Sequence, residues 1–136
     1  MKKNSGQSLI EVLASIAVLV IIILSLLVIT TISVRNSSFS RNQTLATKYA
    51  QEAIEKIRLY RDKNTWKNFV DNCESFSLEI NQPSTFTIIR DCYLPNNQSL
   101  NCNENQNNCE VKVTVSWTDN KGTHKSELTT ILTNWK

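Results

Sequence analysis

Residues 5–34 read SGQSLIEVLASIAVLVIIILSLLVITTISV, and this stretch decides the fold. It contains 23 consecutive uncharged residues, Val12 to Val34, most of them Val, Ile or Leu. A helix of that length rises roughly 35 Å, at about 1.5 Å per residue. Because the hydrocarbon core of a bilayer is about 30 Å thick, the stretch predicts one membrane-spanning helix near the N-terminus.

Two residues at the head of this stretch are unusual. Gly6 is one of only two glycines in the chain, and Glu11 is the only charged residue between Lys3 and Arg35. A carboxylate at the centre of a membrane helix costs roughly 2.5–3.5 kcal/mol, and less near a helix end. An ordinary cleaved signal peptide has a shorter apolar region and small residues at its cleavage site, which Thr30 to Asn36 lacks. A plain signal anchor fits the length but gives no reason for Gly6 or Glu11.

The order of residues in this stretch resembles the leader and N-terminus of type IV pilins and related pseudopilins. The matching motif follows a basic leader and consists of Gly6, Ser8, Leu9, Ile10 and Glu11. The resemblance implies that a prepilin peptidase cuts after Gly6 and that the mature chain begins at Gln7, with methylation of its amine. The apolar helix then stays in the mature protein.

The resemblance also implies a role for Glu11, the fifth residue of the mature chain. In a filament of packed helices, its carboxylate pairs with the α-amine of Gln7 on a neighbouring subunit. A carboxylate near a helix N-terminus is also favoured by the helix dipole. The family usually begins its mature chain with phenylalanine or another apolar residue, and an N-terminal glutamine can cyclise and lose its amine charge. The alternative for Glu11 is an interfacial charge without a role.

Beyond Arg35 the chain turns polar but keeps a helical period. No glycine or proline occurs in residues 7–81. The pattern predicts one helix from about Ser8 to Arg61, with a break within Arg35–Arg41 as the alternative. Favourable same-face pairs are Glu52–Lys56 and Glu55–Arg58. A narrow apolar stripe, which we expect to dock a head domain, consists of Ala46, Tyr49, Ala50, Ala53, Ile57 and Tyr60.

The stretch LATKYAQEAIEKIR, Leu45–Arg58, resembles the same segment of PilV-type minor pilins and of secretion pseudopilins. Major pilins often carry a glycine and a proline that loosen the membrane helix, and this chain has Val20 and Val28 at the corresponding positions. The resemblance therefore favours a minor, priming or tip-associated subunit over a bulk filament subunit.

From about Thr65 the apolar pattern changes to a period of two, which is typical of strands. Asp119 to Gly122 supplies turn residues, and Gly122 marks a turn that needs positive φ. The pattern predicts a small antiparallel sheet, packed on the second half of the helix. The expected strands are Ser75–Ile80, Thr85–Tyr93, Glu110–Thr118, with Val111, Val113, Val115 and Trp117 on one face, and Lys125–Thr133.

Four cysteines, Cys73, Cys92, Cys102 and Cys109, all follow the apolar stretch and predict disulfides in an oxidising compartment. Three connectivities are open, and Cys73–Cys92 with Cys102–Cys109 leaves the shortest loops. Residues 95–109 form an asparagine-rich polar loop, expected as a contact surface or a solvated loop. Calcium could take oxygen ligands from Asn101, Asn103, Glu104 and Asn105, but we expect no metal and no cofactor.

Catalysis and nucleic-acid binding have no support in the sequence. The single histidine, His124, is expected in a turn, and no nucleophile or phosphate-binding motif is present. The net charge of +3 forms no basic patch, so no nucleic-acid partner is argued. The aromatic residues expected in the core or at its edge are Trp66, Phe69, Trp117 and Trp135, the last also as a cap on the sheet.

The sequence thus predicts an α+β, pilin-like subunit rather than an enzyme. Its expected parts are a leader (1–6), a transmembrane and assembly helix (7–34), an amphipathic continuation (35–63) and a disulfide-bonded head (64–136). The expected function is that of a minor type IV pilin that primes, modifies or caps a pilus. The alternatives are a pseudopilin of a type II secretion or competence DNA-uptake system, and a signal-anchored extracytoplasmic binding domain that does not polymerise.

The expected partners follow from that function. They are a prepilin peptidase, other pilin subunits, the bacterial inner membrane and the assembly platform of a pilus or secretion system. The positive-inside rule places Lys2 and Lys3 in the cytoplasm and the head outside it. After assembly, the subunit would lie in a filament at the cell surface.

Overall fold

The computed structural model describes residues 5–95 and 97–135, and the side chains of residues 9–95 and 101–135. The strands form one antiparallel sheet in the order β2-β1-β3-β4. A long N-terminal apolar helix followed by a small antiparallel sheet is the α+β architecture that the sequence predicts. The elements are α1 (Ser5–Lys63), α2 (Trp66–Asn72), β1 (Phe86–Leu94), β2 (Asn97–Asn101), β3 (Asn108–Asp119) and β4 (Gly122–Thr133).

Helix α1 runs without interruption through residues 35–41, so the alternative of a break there is wrong. Its sequence up to Lys63 contains no proline, and its one glycine is Gly6, next to the first residue of the helix. The helix ends where the Asn64 side chain donates to the Tyr60 carbonyl oxygen at 2.8 Å. Arg61 and Lys63 in the last turn complement the negative end of the helix dipole.

The chain divides into two compact units, with the boundary between Ser40 and Arg41. The described part of the first unit is helical throughout. The second unit contains the last part of α1, together with α2 and the sheet, and we call it the head. Residues 41–63 of α1 therefore belong to the head and provide one side of its core.

The core of the head lies between α1 and the sheet. The predicted α1 stripe is confirmed, because Ala46, Ala50, Ala53 and Ile57 are fully buried and its two tyrosines are partly buried. Three of these four fully buried side chains are alanines, which bring only a methyl group to the core. From β3, every second side chain is buried, namely Val111, Val113, Val115 and Trp117.

Polar and aromatic contacts fix α1 against β1 and β4 within the head. The Thr47 and Ser126 hydroxyl oxygens are 3.3 Å apart, and Arg58 Nη2 donates to Thr130 Oγ1 at 3.3 Å. Tyr49 meets Phe86 edge to face, with ring centroids 5.3 Å apart. The predicted ion pairs on α1 also form, Glu52–Lys56 at 3.3 Å and Glu55–Arg58 at 2.7 Å.

The β3–β4 hairpin forms as predicted. Asp119 is the register partner of Gly122, and Gly122 has a φ of +128°. The Asp119 carboxylate accepts a hydrogen bond from the Lys121 backbone N–H at 2.7 Å, which closes the turn.

Three expectations for the head are wrong in detail. Ser75–Ile80 is not a strand, because this stretch makes no backbone ladder with the sheet. Residues 66–72 form α2 instead of extended chain, since Thr65 caps the helix by accepting from the Asn68 N–H at 3.4 Å. The asparagine-rich loop contains β2, a short strand that pairs with the end of β1.

Two side chains lie where the sequence does not place them. His124 is in β4 rather than in the turn, as the register partner of Trp117. Trp135 is 63 % exposed and is not a core residue, whereas Phe69 and Trp117 are buried and Trp66 is partly buried. Trp135 follows the last residue of β4 by two positions and lines a small surface pocket with Arg61, Asn64 and Trp66, at the edge of the core.

Candidate functional site

Residues 9–34 of α1, which we call the apolar segment, expose an apolar surface on all sides. All of its Leu, Ile and Val side chains are between 48 % and 71 % exposed. Within the described residues, α1 is long and apolar enough to cross a membrane, with a mean hydropathy of 3.3 over its most apolar 18 residues. An apolar surface of this extent requires lipid or other helices around it.

Four of the five hydroxyl groups of the apolar segment, all except that of Ser33, bond within the helix itself. Ser15 donates to the Glu11 carbonyl oxygen at 2.8 Å, and Ser25 donates to that of Ile21 at 2.8 Å. Thr30 and Thr31 both donate to the Leu27 carbonyl oxygen, at 3.0 and 2.8 Å. These four polar groups therefore need no partner from lipid or from another chain.

Glu11 differs from these hydroxyls because its charge has no comparable internal partner. The carboxylate lies on the exposed surface of α1, and none of the side chains described in residues 9–95 and 101–135 forms an ion pair with it. Its neighbours Leu9 and Ile10 are exposed apolar residues. The segment thus presents one charge that needs a partner, close to its N-terminal end.

The expected cleavage site lies in the first turn of the same helix. Helix α1 begins at Ser5, so the Gly6–Gln7 bond is the second peptide bond of the helix. The first turn of a helix lacks half of its backbone hydrogen bonds, and glycine weakens it further by about 1 kcal/mol relative to alanine. Lys2 and Lys3 lie outside the described residues, as do the side chains of Gln7 and Ser8.

Positions 7 and 11 are four residues apart, which places them on one face of α1. In the uncleaved chain, Glu11 is the seventh residue of the helix and lies outside its first turn, where the dipole acts most strongly. Removal of residues 1–6 makes it the fifth residue and leaves a new α-amine one helical turn away. Cleavage at this bond would therefore place a positive charge one helical turn from the Glu11 carboxylate.

Two disulfides hold the loops of the head. Cys73, directly after α2, is bonded to Cys92 in β1, and Cys102, after β2, is bonded to Cys109 in β3. This is the connectivity with the shortest loops, and all four cysteines are paired. The bonds attach the irregular segments 73–85 and 102–107 to the sheet.

The asparagine-rich loop is further attached to α2. Lys67 Nζ is 2.8 Å from Glu104 Oε2, and this hydrogen bond and charge raise the pKa of Lys67. Trp66 Nε1 donates to the Gln106 carbonyl oxygen at 2.6 Å. Glu104, the one carboxylate of the calcium set considered from the sequence, therefore already pairs with a cation. The side chains of residues 96–100 of this loop lie outside the part that the structure describes.

Sequence reasoning missed Arg90, which fixes the chain ahead of β1. Its Nε and Nη2 donate to the Glu74 carbonyl oxygen at 3.1 and 2.9 Å, and Nη2 also donates to that of Phe76. Its guanidinium carbon lies 4.1 Å from the centre of the Phe76 ring, which stacks on Tyr60. Desolvation lowers the pKa of Arg90, opposed by the charge of Glu74. The sequence did contain a signal for this role. In the predicted strand, Arg90 falls on the same inward face as Phe86 and Ile88, where a cation is unusual.

Comparison with known protein families finds a match at the N-terminus. Residues 1–30 match the family model described as the prokaryotic N-terminal methylation motif. No curated protein and no solved structure matches the chain. The matched residues include Gly6 and Glu11, together with most of the apolar segment. A prepilin-type leader of this kind implies processing by a prepilin peptidase and assembly with other pilins, and with the apolar helix it indicates membrane anchoring. The motif and the architecture together support a type IV pilin-like protein, in the broad sense that includes pseudopilins.

Proposed function

We propose that the protein is a minor type IV pilin, a structural subunit that enters a pilus through residues 7–34 and primes, modifies or caps the filament. The observation that carries this proposal is Glu11, a single charge on an exposed apolar helix that bonds four of its five hydroxyl groups internally. Such a charge has a physical reason only if a cation reaches it when the helix is packed. The α-amine that cleavage after Gly6 would free on Gln7 of a neighbouring subunit is the cation that we propose.

The proposed sequence of events begins in the bacterial inner membrane. Lys2 and Lys3 stay in the cytoplasm, and the head is exported to a compartment where its two disulfides persist. A prepilin peptidase hydrolyses the Gly6–Gln7 peptide bond, which releases the leader as a carboxylate and leaves a free α-amine on Gln7. Methylation of that amine keeps its positive charge.

Assembly then moves the apolar segment from lipid into contact with other helices. Burial of an unpaired carboxylate is strongly unfavourable, so Glu11 requires a cation at the depth where it enters the filament. The Gln7 amine of a neighbouring subunit supplies it without another charged side chain. The continuous helix, with Val20 and Val28 in place of helix-loosening residues, supports a minor rather than a bulk subunit.

A pseudopilin of a type II secretion or competence system would use the same leader, helix and charge pair. The two functions differ in the assembly platform that binds the subunit. Cross-linking in cells, followed by identification of the attached platform protein, separates them. In either case, we propose that the chain acts as a structural subunit and not as an enzyme.

The first experiment is mass spectrometry of the mature N-terminus, on protein purified from the membrane. We expect a chain that begins at Gln7 and carries one added methyl group. A cyclised Gln7 would remove the proposed amine partner of Glu11. A chain that still carries residues 1–6, in a host with an active prepilin peptidase, would overturn the proposal in favour of a signal-anchored domain.

The second experiment replaces the charge. Glu11→Ala should lower the amount of the subunit in sheared filaments by at least about tenfold, because the loss of one partner of a buried ion pair typically costs about 3–5 kcal/mol. Ser15→Ala is the matched control, since that hydroxyl bonds only within its own helix in the structure. Equal incorporation of Glu11→Ala and wild type, with equal membrane levels, would contradict the charge-pair role.

A further inference from the structure

Residues 75–82, which we call the strap, lie between α2 and β1 and have the side-chain pattern of a strand without its hydrogen bonds. Phe76, Leu78 and Ile80 are partly buried, and the residues between them are exposed. The strap nevertheless belongs to no sheet. The sequence pattern that predicts a strand here therefore corresponds to real alternation in burial.

The contacts of the strap follow the register of an antiparallel hairpin with β1. At one end, the Cys92 N–H donates to Glu74 Oε1 at 3.4 Å, beside the Cys73–Cys92 disulfide. At the other end, Gln82 Nε2 donates to the Phe86 carbonyl oxygen at 3.3 Å. Between them, Arg90 donates to the carbonyl oxygens of Glu74 and Phe76. Each of these hydrogen bonds joins a side chain to a backbone group, whereas a sheet would join two backbone groups.

The edge of β1 that faces the strap carries unpaired backbone groups. The Cys92 N–H and the Phe86 carbonyl point away from β3, as their bonds to Glu74 and Gln82 show. Because peptide groups alternate in an antiparallel ladder, those of Ile88 and Arg90 point the same way. Among the described residues, the strap gives them no backbone partner. Ile80 N–H instead donates to the Leu78 carbonyl oxygen at 2.9 Å, a γ-turn that interrupts the extended chain of the strap.

Two buried side-chain atoms in this region also lack partners in the described structure. They are Gln82 Oε1 and Arg90 Nη1. A gap of about 350 Å³ lies here, lined by residues of the strap and of β1, including Leu78, Ile80, Ile88 and Arg90. Buried polar groups without partners are rare in folded proteins, so this arrangement is unfavourable relative to one that pairs them.

We propose that the strap closes onto β1 as a fifth strand of the sheet. Closure straightens the γ-turn, fills the gap and pairs the peptide groups of Ile88 and Arg90 with those of the strap. The register that the side chains already set places the N–H groups of Leu78 and Ile80 toward β1, and that of Ser77 toward solvent. The closed strap would cover this edge of β1 and prevent strand addition by another chain there.

Amide hydrogen exchange on the full-length protein in detergent micelles tests closure. We expect the Ile88 and Arg90 amides to exchange at least about tenfold more slowly than their intrinsic rates, since protection measures the fraction of time a bond is formed. Leu78→Pro removes an N–H that faces β1 and should return both amides to near their intrinsic rates. Leu78→Ala controls for the loss of the leucine side chain, and it should leave the Ile88 and Arg90 amides protected.

Ser77→Pro is the matched control, because proline is tolerated on an edge strand where the N–H faces solvent. It should leave the protection of Ile88 and Arg90 unchanged within about twofold. Near-intrinsic exchange of both amides in the wild-type protein would overturn the proposal, as would equal effects of Ser77→Pro and Leu78→Pro. If Leu78→Pro unfolds the head, which the β3–β4 amides would report, the wild-type rates decide alone.

Discussion

The apolar segment and the head use one helix in opposite ways. In the apolar segment, the Leu, Ile and Val side chains of α1 are at least 48 % exposed, on every side. In the head, the same helix buries a single stripe, in which Ala46, Ala50, Ala53 and Ile57 are completely covered. Helix formation is therefore common to both regions, and what differs is where the partner comes from. The head supplies its own partner, the sheet, whereas the apolar segment depends on lipid or on other subunits.

This difference can be tested first by removing one isoleucine from each region. Ile57→Ala should lower the free energy of unfolding of the head by about 2–5 kcal/mol, because it leaves a cavity in a packed core. Ile16→Ala, at a position 52 % exposed, should leave it unchanged. Denaturant unfolding followed by tryptophan fluorescence measures both, since all three tryptophans lie in the head. Similar losses in the two variants would show that the regions are not energetically distinct.

The disulfides are the second test of how far the head stabilises itself. Replacing both Cys73 and Cys92 by Ala should cost about 3 kcal/mol, and replacing Cys102 and Cys109 about 2.5 kcal/mol, because the closed loops differ in length. The sequence separations are 19 and 7 residues. The same unfolding measurement applies, with the fully reduced wild-type protein as a control. A larger loss for the shorter loop would mean that chain entropy does not set the order.

The two glycines of the chain offer a third comparison, one from each region. Gly122→Ala should destabilise the head by about 1–3 kcal/mol, because a residue with a Cβ is strained at positive φ. No atom lies within 4 Å of the added Cβ, so backbone strain and not a clash is the cause. Gly6→Ala should leave unfolding of the head unchanged. Equal thermal midpoints for Gly122→Ala and wild type would show that the turn adapts without cost.

The smallest expected effect is on the stability of the head at low pH. Hydrogen bonds from the Lys121 backbone and from His124 lower the pKa of Asp119, with His124 Nε2 at 2.9 Å. A carboxyl group whose pKa is lowered by folding stabilises the head above its unfolded pKa of about 3.9, and this contribution is lost as the pH falls through the folded pKa. Asp119→Asn should therefore flatten the stability curve below about pH 4.

Lys121→Ala is the control for this measurement, because it keeps the backbone N–H that Asp119 accepts. Thermal unfolding between about pH 2 and pH 6 should then give nearly the wild-type slope for Lys121→Ala, because the Lys121 charge lowers the pKa of Asp119 less than its backbone N–H does. It should give a shallower slope for Asp119→Asn. Identical slopes for all three proteins would rule out a contribution from the Asp119 pair.

The parts of the head that the sequence predicts are those where one local pattern decides the outcome. Alternation from Val111 to Trp117 predicts β3 because every second side chain is buried, and the alanine stripe of α1 is confirmed for the same reason. Residues 75–82 alternate between partly buried and exposed side chains but form no backbone hydrogen bonds with β1. Side chains of Glu74, Gln82 and Arg90 instead bond to backbone groups that a paired strand would use. Pattern alone carries no information on that competition.

The candidate site was predictable from the sequence in its position but not in its surroundings. Gly6 and Glu11 stand out because glycine and charge are rare around them. Nothing in the sequence indicates that the hydroxyls of the apolar segment bond back to their own helix, because serine and threonine can also bond across helices. Short elements such as α2 and β2 were missed because a cap at Thr65 and a pairing to the end of β1 outweigh weak local preferences.

Four of the five hydroxyls on this part of the helix, those of Ser15, Ser25, Thr30 and Thr31, bond back to their own backbone and leave few directional groups on its flank. A neighbouring helix would meet a smooth hydrocarbon surface that accepts many angles of rotation about its axis. The pairing of Glu11 with a cation would then be the main interaction that fixes the axial position of this helix relative to its neighbours. In the proposed filament, such a subunit can sit beside neighbours of different sequence, provided that each offers a cation at that one depth.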